Sequence, residues 1–101
     1  MVLYNLTVII EEEIDKSWLS WAKDEFIPEA MSTDLFVSNR LLKVLDSPNE
    51  GITYCLQLIA DTYSNCQAFQ QNFEPAIQAK LSANFENKFV SFSTVMEFIN
   101  Q

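Results

Sequence analysis

The sequence contains no histidine, one glycine, three prolines and only six lysine and arginine residues, against 14 aspartate and glutamate residues. The absence of histidine excludes Ser-His-Asp and Cys-His catalysis, histidine-ligated zinc and haem held by a proximal histidine. The net charge of -8, without any basic cluster, argues against binding to nucleic acids or to anionic membrane surfaces. The scarcity of glycine and proline predicts few and short loops.

The two cysteines, Cys55 and Cys66, do not have the spacing of a metal site. We expect both to be buried, reduced thiols, which are typical of cytoplasmic proteins. The first ten residues lack a preceding basic region and run into three glutamates, so they predict a strand and not a signal peptide. No apolar run approaches the roughly 20 residues of a membrane span. The sequence thus predicts a cytoplasmic protein without metal, cofactor or membrane segment.

Hydrophobic periodicity predicts four strands, at residues 2–11, 37–46, 52–60 and 88–99. A helical pattern follows the first strand, and we expect this helix to end or kink at Ile27 because Pro28 disfavours helical geometry in the residue before it. A short turn is then predicted over Pro28–Met31.

A second helical pattern follows the third strand. Ser64 and Gln67 have the spacing of a capping box at its start. Because Pro75 lies inside the apolar stripe, we expect either a kink or two consecutive helical pieces.

The resulting order, β-α-β-β-α-β, predicts an α+β, ferredoxin-like fold with a single domain over residues 1–101. Right-handed crossovers place both helices on one face of a four-stranded antiparallel sheet, with the strands in the spatial order 4-1-3-2.

Strand parity divides the sheet residues into two sets. One set is apolar and is predicted to meet the helices: Tyr4, Leu6, Val8, Tyr54, Leu56, Leu58, Val90, Phe92, Met96 and Phe98. The other set is mixed: Leu3, Asn5, Thr7, Ile9, Thr53, Cys55, Gln57, Ile59, Phe89, Ser91, Ser93 and Val95. On the second strand, either Leu41 and Leu45 or Arg40 and Leu42 join the mixed set. Because exposed apolar patches mark interfaces, we expect two copies to pack through the mixed face as a homodimer that encloses an elongated cavity.

The candidate ligand-binding residues follow from that cavity. Uncharged hydrogen-bonding groups suit a small neutral or apolar ligand, although water-filled packing between two copies is the simpler alternative. Trp18 and Trp21 lie on one helix flank and either wall a pocket or pack against the sheet, in which case at least one indole N–H should find an acceptor. The full candidate set is Asn5, Thr7, Trp18, Trp21, Thr53, Gln57, Ser91 and Ser93. We expect no catalytic or metal-binding residue.

The segments YNLTV, WLSWAKDEFIPEAM, DLF, RLLKVLD, GITYCLQ and KFVSFSTV resemble a bacterial family of domains of unknown function, numbered 4286, over essentially the whole chain. That family is similar to the dimeric α+β barrel superfamily, which includes cofactor-independent monooxygenases, haem-degrading enzymes and muconolactone isomerases. The resemblance implies a dimeric barrel but no particular chemistry. Phe26 and Asp34 stand where members often have His and Gly. The resemblance also implies an asparagine on the first strand and a ligating histidine in haem-degrading relatives. Asn5 is suitably placed for the first, but this chain has no histidine to ligate haem.

Three functions stay open at this point. A non-catalytic homodimer that binds a small neutral or apolar ligand fits a mixed face without titratable groups. A cofactor-independent monooxygenase or isomerase would use Asn5 and Gln57 to orient a phenolic or polyketide-like substrate. A protein-interaction module would present the acidic helix face to a basic partner.

Overall fold

The computed structural model describes residues 1–100, which form a four-stranded antiparallel sheet with helices on one face. The strands are β1 at Val2–Ile10, β2 at Ser38–Lys43, β3 at Ile52–Ala60 and β4 at Phe89–Glu97. Their order across the sheet is β2-β3-β1-β4, so the ferredoxin-like fold and the predicted strand order are confirmed. No helix in the described part of the chain is long and apolar enough to cross a membrane.

The first helical region continues past the predicted end at Ile27. A 3-10 turn at Glu12–Ile14 leads into α1 at Asp15–Trp21, a wider π-helical segment at Ala22–Phe26, and α2 at Ile27–Met31. Ile27 keeps helical dihedral angles, with φ -62° and ψ -48°. Of the two predicted alternatives, an end at Ile27 is therefore wrong, and so is the predicted turn over Pro28–Met31. Pro28 lies in the first turn of α2 after the π segment, where the missing N–H of a proline is tolerated.

The second helical region consists of two consecutive helices, as predicted. Helix α3 is Tyr63–Asn72 and α4 is Glu74–Phe85. They are divided at Phe73, whose φ of -123° is not helical, and a proline occupies the first turn of α4. The predicted cap at Ser64 is wrong. Thr62 has extended backbone, and its hydroxyl accepts from the Asn65 N–H, which is the geometry of an N-cap.

The core lies between the sheet and these helices. The even-numbered residues of β1 point into it, and Tyr4, Leu6, Val8 and Ile10 are all at most 1% exposed. On β3, Tyr54, Leu56 and Leu58 also point into the core and are at most 4% exposed. The helices contribute side chains that pack against these strand residues, among them Trp18, Phe26, Phe69 and Leu81.

The strand register shows that the predicted faces of β4 are inverted. Directly paired residues of antiparallel strands lie on the same face, and Tyr4, Leu6 and Val8 pair with Val95, Ser93 and Ser91. Phe89, Ser91, Ser93 and Val95 are therefore on the helix-facing side. Val90, Phe92 and Met96 are on the opposite face, where they are 61%, 57% and 42% exposed. Because the side-chain period of a strand is two, a shift of one residue is enough to exchange the faces.

Candidate functional site

The sheet face opposite the helices, here called the open face, combines odd-numbered residues of β1 and β3 with even-numbered residues of β2 and β4. Pairing of Arg40 with Gln57 and of Leu42 with Cys55 settles the parity of β2, which the sequence left open. The members of the open face are Leu3, Asn5, Thr7, Ile9, Ser38, Arg40, Leu42, Thr53, Cys55, Gln57, Ile59, Val90, Phe92, Thr94 and Met96.

One polar residue from each strand meets in a single line across the open face. Arg40 pairs with Gln57, Gln57 with Asn5, and Asn5 with Thr94. Gln57 Nε2 donates to Asn5 Oδ1 at 3.3 Å, and Asn5 Nδ2 donates to Thr7 Oγ1 at 2.9 Å. Asn5 is only 7% exposed, so its amide is held in place by these bonds. We call Arg40, Gln57, Asn5 and Thr94 the polar row.

Apolar side chains lie on both sides of the polar row. Leu42 and Phe92 flank it towards one end of the sheet, and Ile59, Leu3 and Met96 flank it towards the other. Leu42 is 44% exposed and Phe92 is 57% exposed. The open face thus combines fixed amide groups with uncovered apolar surface, which is the composition of an interface or a ligand site.

Two grooves lie on the open face where β1 begins. The larger, of about 440 Å³, is lined by Met1, Ser38, Arg40, Ile59 and Phe98. The smaller, of about 230 Å³, is lined by Leu3, Met96, Glu97, Phe98, Ile99 and Asn100. The Phe98 N–H donates to the Met1 carbonyl, which anchors the chain after β4. The prediction that Phe98 faces the helices is therefore wrong, since this side chain lines both grooves.

The open face brings together four of the predicted ligand-binding residues: Asn5, Thr7, Thr53 and Gln57. Thr53 Oγ1 lies 3.2 Å from Ser47 Oγ, in the loop before β3. Cys66 is buried as expected, whereas Cys55 is only half-buried, with its sulfur 3.8 Å from Thr7 Oγ1.

Ser91 and Ser93 do not join these four residues. They are on the helix-facing side of β4, and Ser91 Oγ donates to Gln78 Oε1 in α4 at 3.4 Å. A ligand on the open face would be separated from both hydroxyls by the sheet.

Trp18 and Trp21 also lie on the helix-facing side, in the core. Trp18 is fully buried and stacks on Tyr54 at 4.9 Å between ring centroids, and Trp21 makes edge contacts with Phe26 and Phe85. Neither indole N–H has an acceptor among the described residues, so the prediction of at least one such bond is wrong. Aromatic neighbours occupy their surroundings, and the apolar area that each ring buries offsets the unpaired N–H.

Two tyrosines on the helix-facing side join the sheet to helix residues. Tyr54 Oη donates to Asp15 Oδ1 and Tyr4 Oη donates to Glu74 Oε2, both at 2.6 Å. Burial, and then the bond to Asp15, raises the pKa of Tyr54 to about 12. Burial, and then the bond to Glu74, raises the pKa of Tyr4 well above its ordinary value. Both phenols stay protonated near neutral pH, so they act as structural donors.

Sequence reasoning left the face of Arg40 open, assigned Phe92 and Val90 to the opposite face, and did not assign Thr94 to either face. The missing signal was the register. Apolar residues at alternate positions of β4 have the pattern of a core-facing strand, and only the pairing with β1 shows which alternate set meets the helices.

A family model for a domain of unknown function, DUF4286, matches residues 1–99. The chain belongs to this family. The two positions at which the resemblance implied a departure from the family pattern have the following surroundings in the structure. Phe26 is buried against Trp21 in the core, and Asp34 has a φ of 62°, in the left-handed region that favours glycine. Among curated proteins, none matches the sequence.

Solved structures share the fold of this DUF4286 protein at low sequence identity. A dimeric ferredoxin-like protein from an uncultured marine organism has a TM-score of 0.68 and 15% identity, with 100% of this chain and 97% of that chain covered. A proposed antibiotic biosynthesis monooxygenase from Nitrosomonas europaea has a TM-score of 0.70 and 9% identity, with 99% and 100% covered. A MhuD variant with two manganese protoporphyrin IX molecules bound per active site has a TM-score of 0.70 and 14% identity, with 100% and 97% covered. At these identities the likeness shows the fold alone.

Proposed function

We propose that this DUF4286 protein is a homodimer whose two open faces pack together and enclose a cavity that binds a small neutral or apolar ligand without catalysis. The observation that carries the proposal is the hydrogen-bonded Asn5–Gln57 pair, which lies within apolar side chains that the chain itself leaves exposed. A surface that only faced water would not need fixed amides among Phe92, Val90 and Met96.

A second copy of the chain is the simplest cover for the open face. Two sheets can pack face to face about 10 Å apart, and a two-fold axis lets one apolar surface bury its own copy. The dimeric ferredoxin-like protein from the marine organism supports this assembly, because its fold spans the whole of this chain.

The proposed ligand contacts come from Asn5, Thr7, Thr53 and Gln57. The Asn5 amide already uses its oxygen and one hydrogen within the protein. Gln57 Oε1 accepts no hydrogen bond from the described residues, so it is available to a ligand hydroxyl or amide. Apolar flanks on both sides of the row would hold the body of the ligand.

A cytoplasmic location and a single domain over residues 1–101 belong to the same proposal. The location rests on the two free thiols: Cys55 is on the open face and Cys66 is in the core on the other side of the sheet. Thiols separated by a sheet cannot form an intramolecular disulfide, which fits a reducing compartment.

A cofactor-independent monooxygenase or isomerase is the second candidate. Two observations favour it. The Asn5–Gln57 pair could orient a substrate carbonyl. The fold is shared with the proposed monooxygenase from Nitrosomonas europaea. Oxygen uptake with quinol substrates tests the monooxygenase, and conversion of the substrate without oxygen uptake would indicate an isomerase. Turnover by the wild-type protein that disappears in a folded Asn5→Ala variant would favour catalysis over binding alone.

The assembly is tested with a matched pair of variants. Phe92 and Tyr63 are 57% and 56% exposed, but Phe92 is on the open face and Tyr63 is at the start of α3. We expect light scattering to give a dimer for the wild type and Tyr63→Asp, and a monomer for Phe92→Asp, because a buried carboxylate in an apolar interface is costly. Native mass spectrometry of the gently purified dimer then reports bound small molecules. A wild-type monomer at micromolar concentration would refute the proposal.

A further inference from the structure

We infer that the ligand of the open face carries a carboxylate, which Arg40 binds at the β2 end of the polar row. This inference rests on the proposed function and changes one property of the ligand: its body stays apolar, with neutral hydrogen-bonding groups, but one end is an anion.

Arg40 is the one charged side chain among the members of the open face. The chain has 14 acidic residues against six basic ones, yet none of the described acids forms an ion pair with Arg40. Lys80 pairs with Glu29, and Lys88 pairs with Glu11 and Glu13. The described acids do not pair with Lys16, Lys23 or Lys43 either, so what distinguishes Arg40 is its place on the open face. A guanidinium on a face whose strand members include no acid is complementary to an anion from outside the chain.

The place of Arg40 in the sheet suits the charged end of an elongated ligand. It lies on the edge strand β2 and lines the 440 Å³ groove, whose other walls include Ile59 and Phe98. An anion bound there stays partly hydrated at the mouth of the cavity, so the cost of removing it from water is small. The apolar part of the same molecule can lie along Ile59 and Phe98.

The polar row sets where the neutral groups of the ligand should be. From Arg40, the row continues inward through Gln57 to Asn5, and neighbouring strands are about 4.8 Å apart. The spacing predicts a hydroxyl or carbonyl about 5–10 Å from the carboxylate, where the free Gln57 oxygen or the Asn5 amide can bind it.

A carboxylate fits this site better than a phosphate. The planar guanidinium binds a carboxylate through two parallel hydrogen bonds, and one arginine balances its single charge. A phosphate dianion would meet one cationic side chain of the open face, on a protein with a net charge of -8. We therefore expect an apolar, hydroxyl- or carbonyl-bearing carboxylic acid.

Calorimetry with two probes of one shape tests the inference: 6-hydroxy-2-naphthoate and its neutral amide. Arg40→Met removes the charge from the open face. Lys43→Met is the matched control, because Lys43 is on the same strand but pairs with Tyr54 on the helix-facing side. We expect the wild type and Lys43→Met to bind the acid roughly tenfold more tightly than the amide, and Arg40→Met to lose that preference.

Each other outcome overturns the inference. Equal affinity for acid and amide in the wild type would mean that the site is neutral, while the dimer and its cavity would stand. An Arg40→Met variant that weakens dimerisation without changing acid binding would show that Arg40 supports the contact between the two copies and does not bind the ligand carboxylate. A dimer that binds neither probe would leave Arg40 without an acidic ligand. A monomeric wild type, in contrast, refutes the proposed function itself.

Discussion

The two faces of the sheet are both rich in apolar side chains, but only one is covered by the chain's own helices. On the helix-facing side, Leu6, Val8 and Leu58 are fully buried. On the open face, Val90 and Phe92 remain more than half exposed. Hydrophobicity along a strand therefore does not tell which face forms the core. The difference lies in what each face packs against, and an uncovered apolar face indicates a partner outside the chain.

The largest expected effect is a loss of folding stability when a core side chain on the helix-facing side is removed. Trp18→Ala removes a fully buried indole that stacks on Tyr54, so we expect it to lower the free energy of unfolding by about 3–5 kcal/mol. Phe92→Ala should cost much less in a monomer, because that ring is 57% exposed in the isolated chain. Urea unfolding at low protein concentration compares the two variants. Similar losses for both would mean that Phe92 is packed within its own chain.

A smaller loss of stability is expected at alkaline pH, and it arises from a tyrosine on the helix-facing side. The pKa of Tyr54 is raised to about 12 from an ordinary value of 10.0, so the folded state holds this proton more tightly than the unfolded chain. The stability that follows is present below about pH 10 and is lost as the pH rises through about 12. The loss should be on the order of 2–3 kcal/mol.

Tyr54→Phe isolates this contribution. The variant should show a smaller loss of stability between pH 10 and pH 12 than the wild type, whereas Tyr4 keeps its own contribution. Tyr63→Phe is the control, since its hydroxyl is on an exposed residue at the start of α3. Thermal unfolding as a function of pH gives the comparison. Parallel profiles for Tyr54→Phe and the wild type would contradict the role given to the Tyr54–Asp15 bond.

The fold of this protein could be predicted from the sequence in part. The order of elements, the spatial order of strands and the bounds of β3 follow from local periodicity and chain topology, which residues 52–60 carry clearly. The helix at Pro28 could not be predicted, because no local pattern marks the π-helical segment at Ala22–Phe26 that precedes it. The faces of β4 could not be predicted either, since its apolar residues Val90, Phe92 and Met96 suit a core or an interface equally well.

For the candidate site, the four residues on β1 and β3 were predictable because the two strands have clear alternation. Asn5 and Thr7 come from one strand, and Thr53 and Gln57 from its neighbour. Arg40 and Thr94 required the pairing of the edge strands, which depends on contacts far apart in sequence. The tryptophans were ambiguous for a different reason, because a large ring can wall a pocket or fill a core, and only the surrounding side chains decide between the two.

The smallest expected effect is a change in ligand affinity, which compares a substitution on the open face with one on the helix-facing side. Asn5→Ala removes the central amide of the polar row, and we expect it to weaken binding of 6-hydroxy-2-naphthoate by roughly tenfold. Ser91→Ala should leave the affinity unchanged, because Ser91 is on the helix-facing side of β4 and contacts Gln78. Calorimetry on dimers of matched thermal stability measures both. A loss of affinity in Ser91→Ala equal to that in Asn5→Ala would place the ligand between the sheet and α4, and not on the open face.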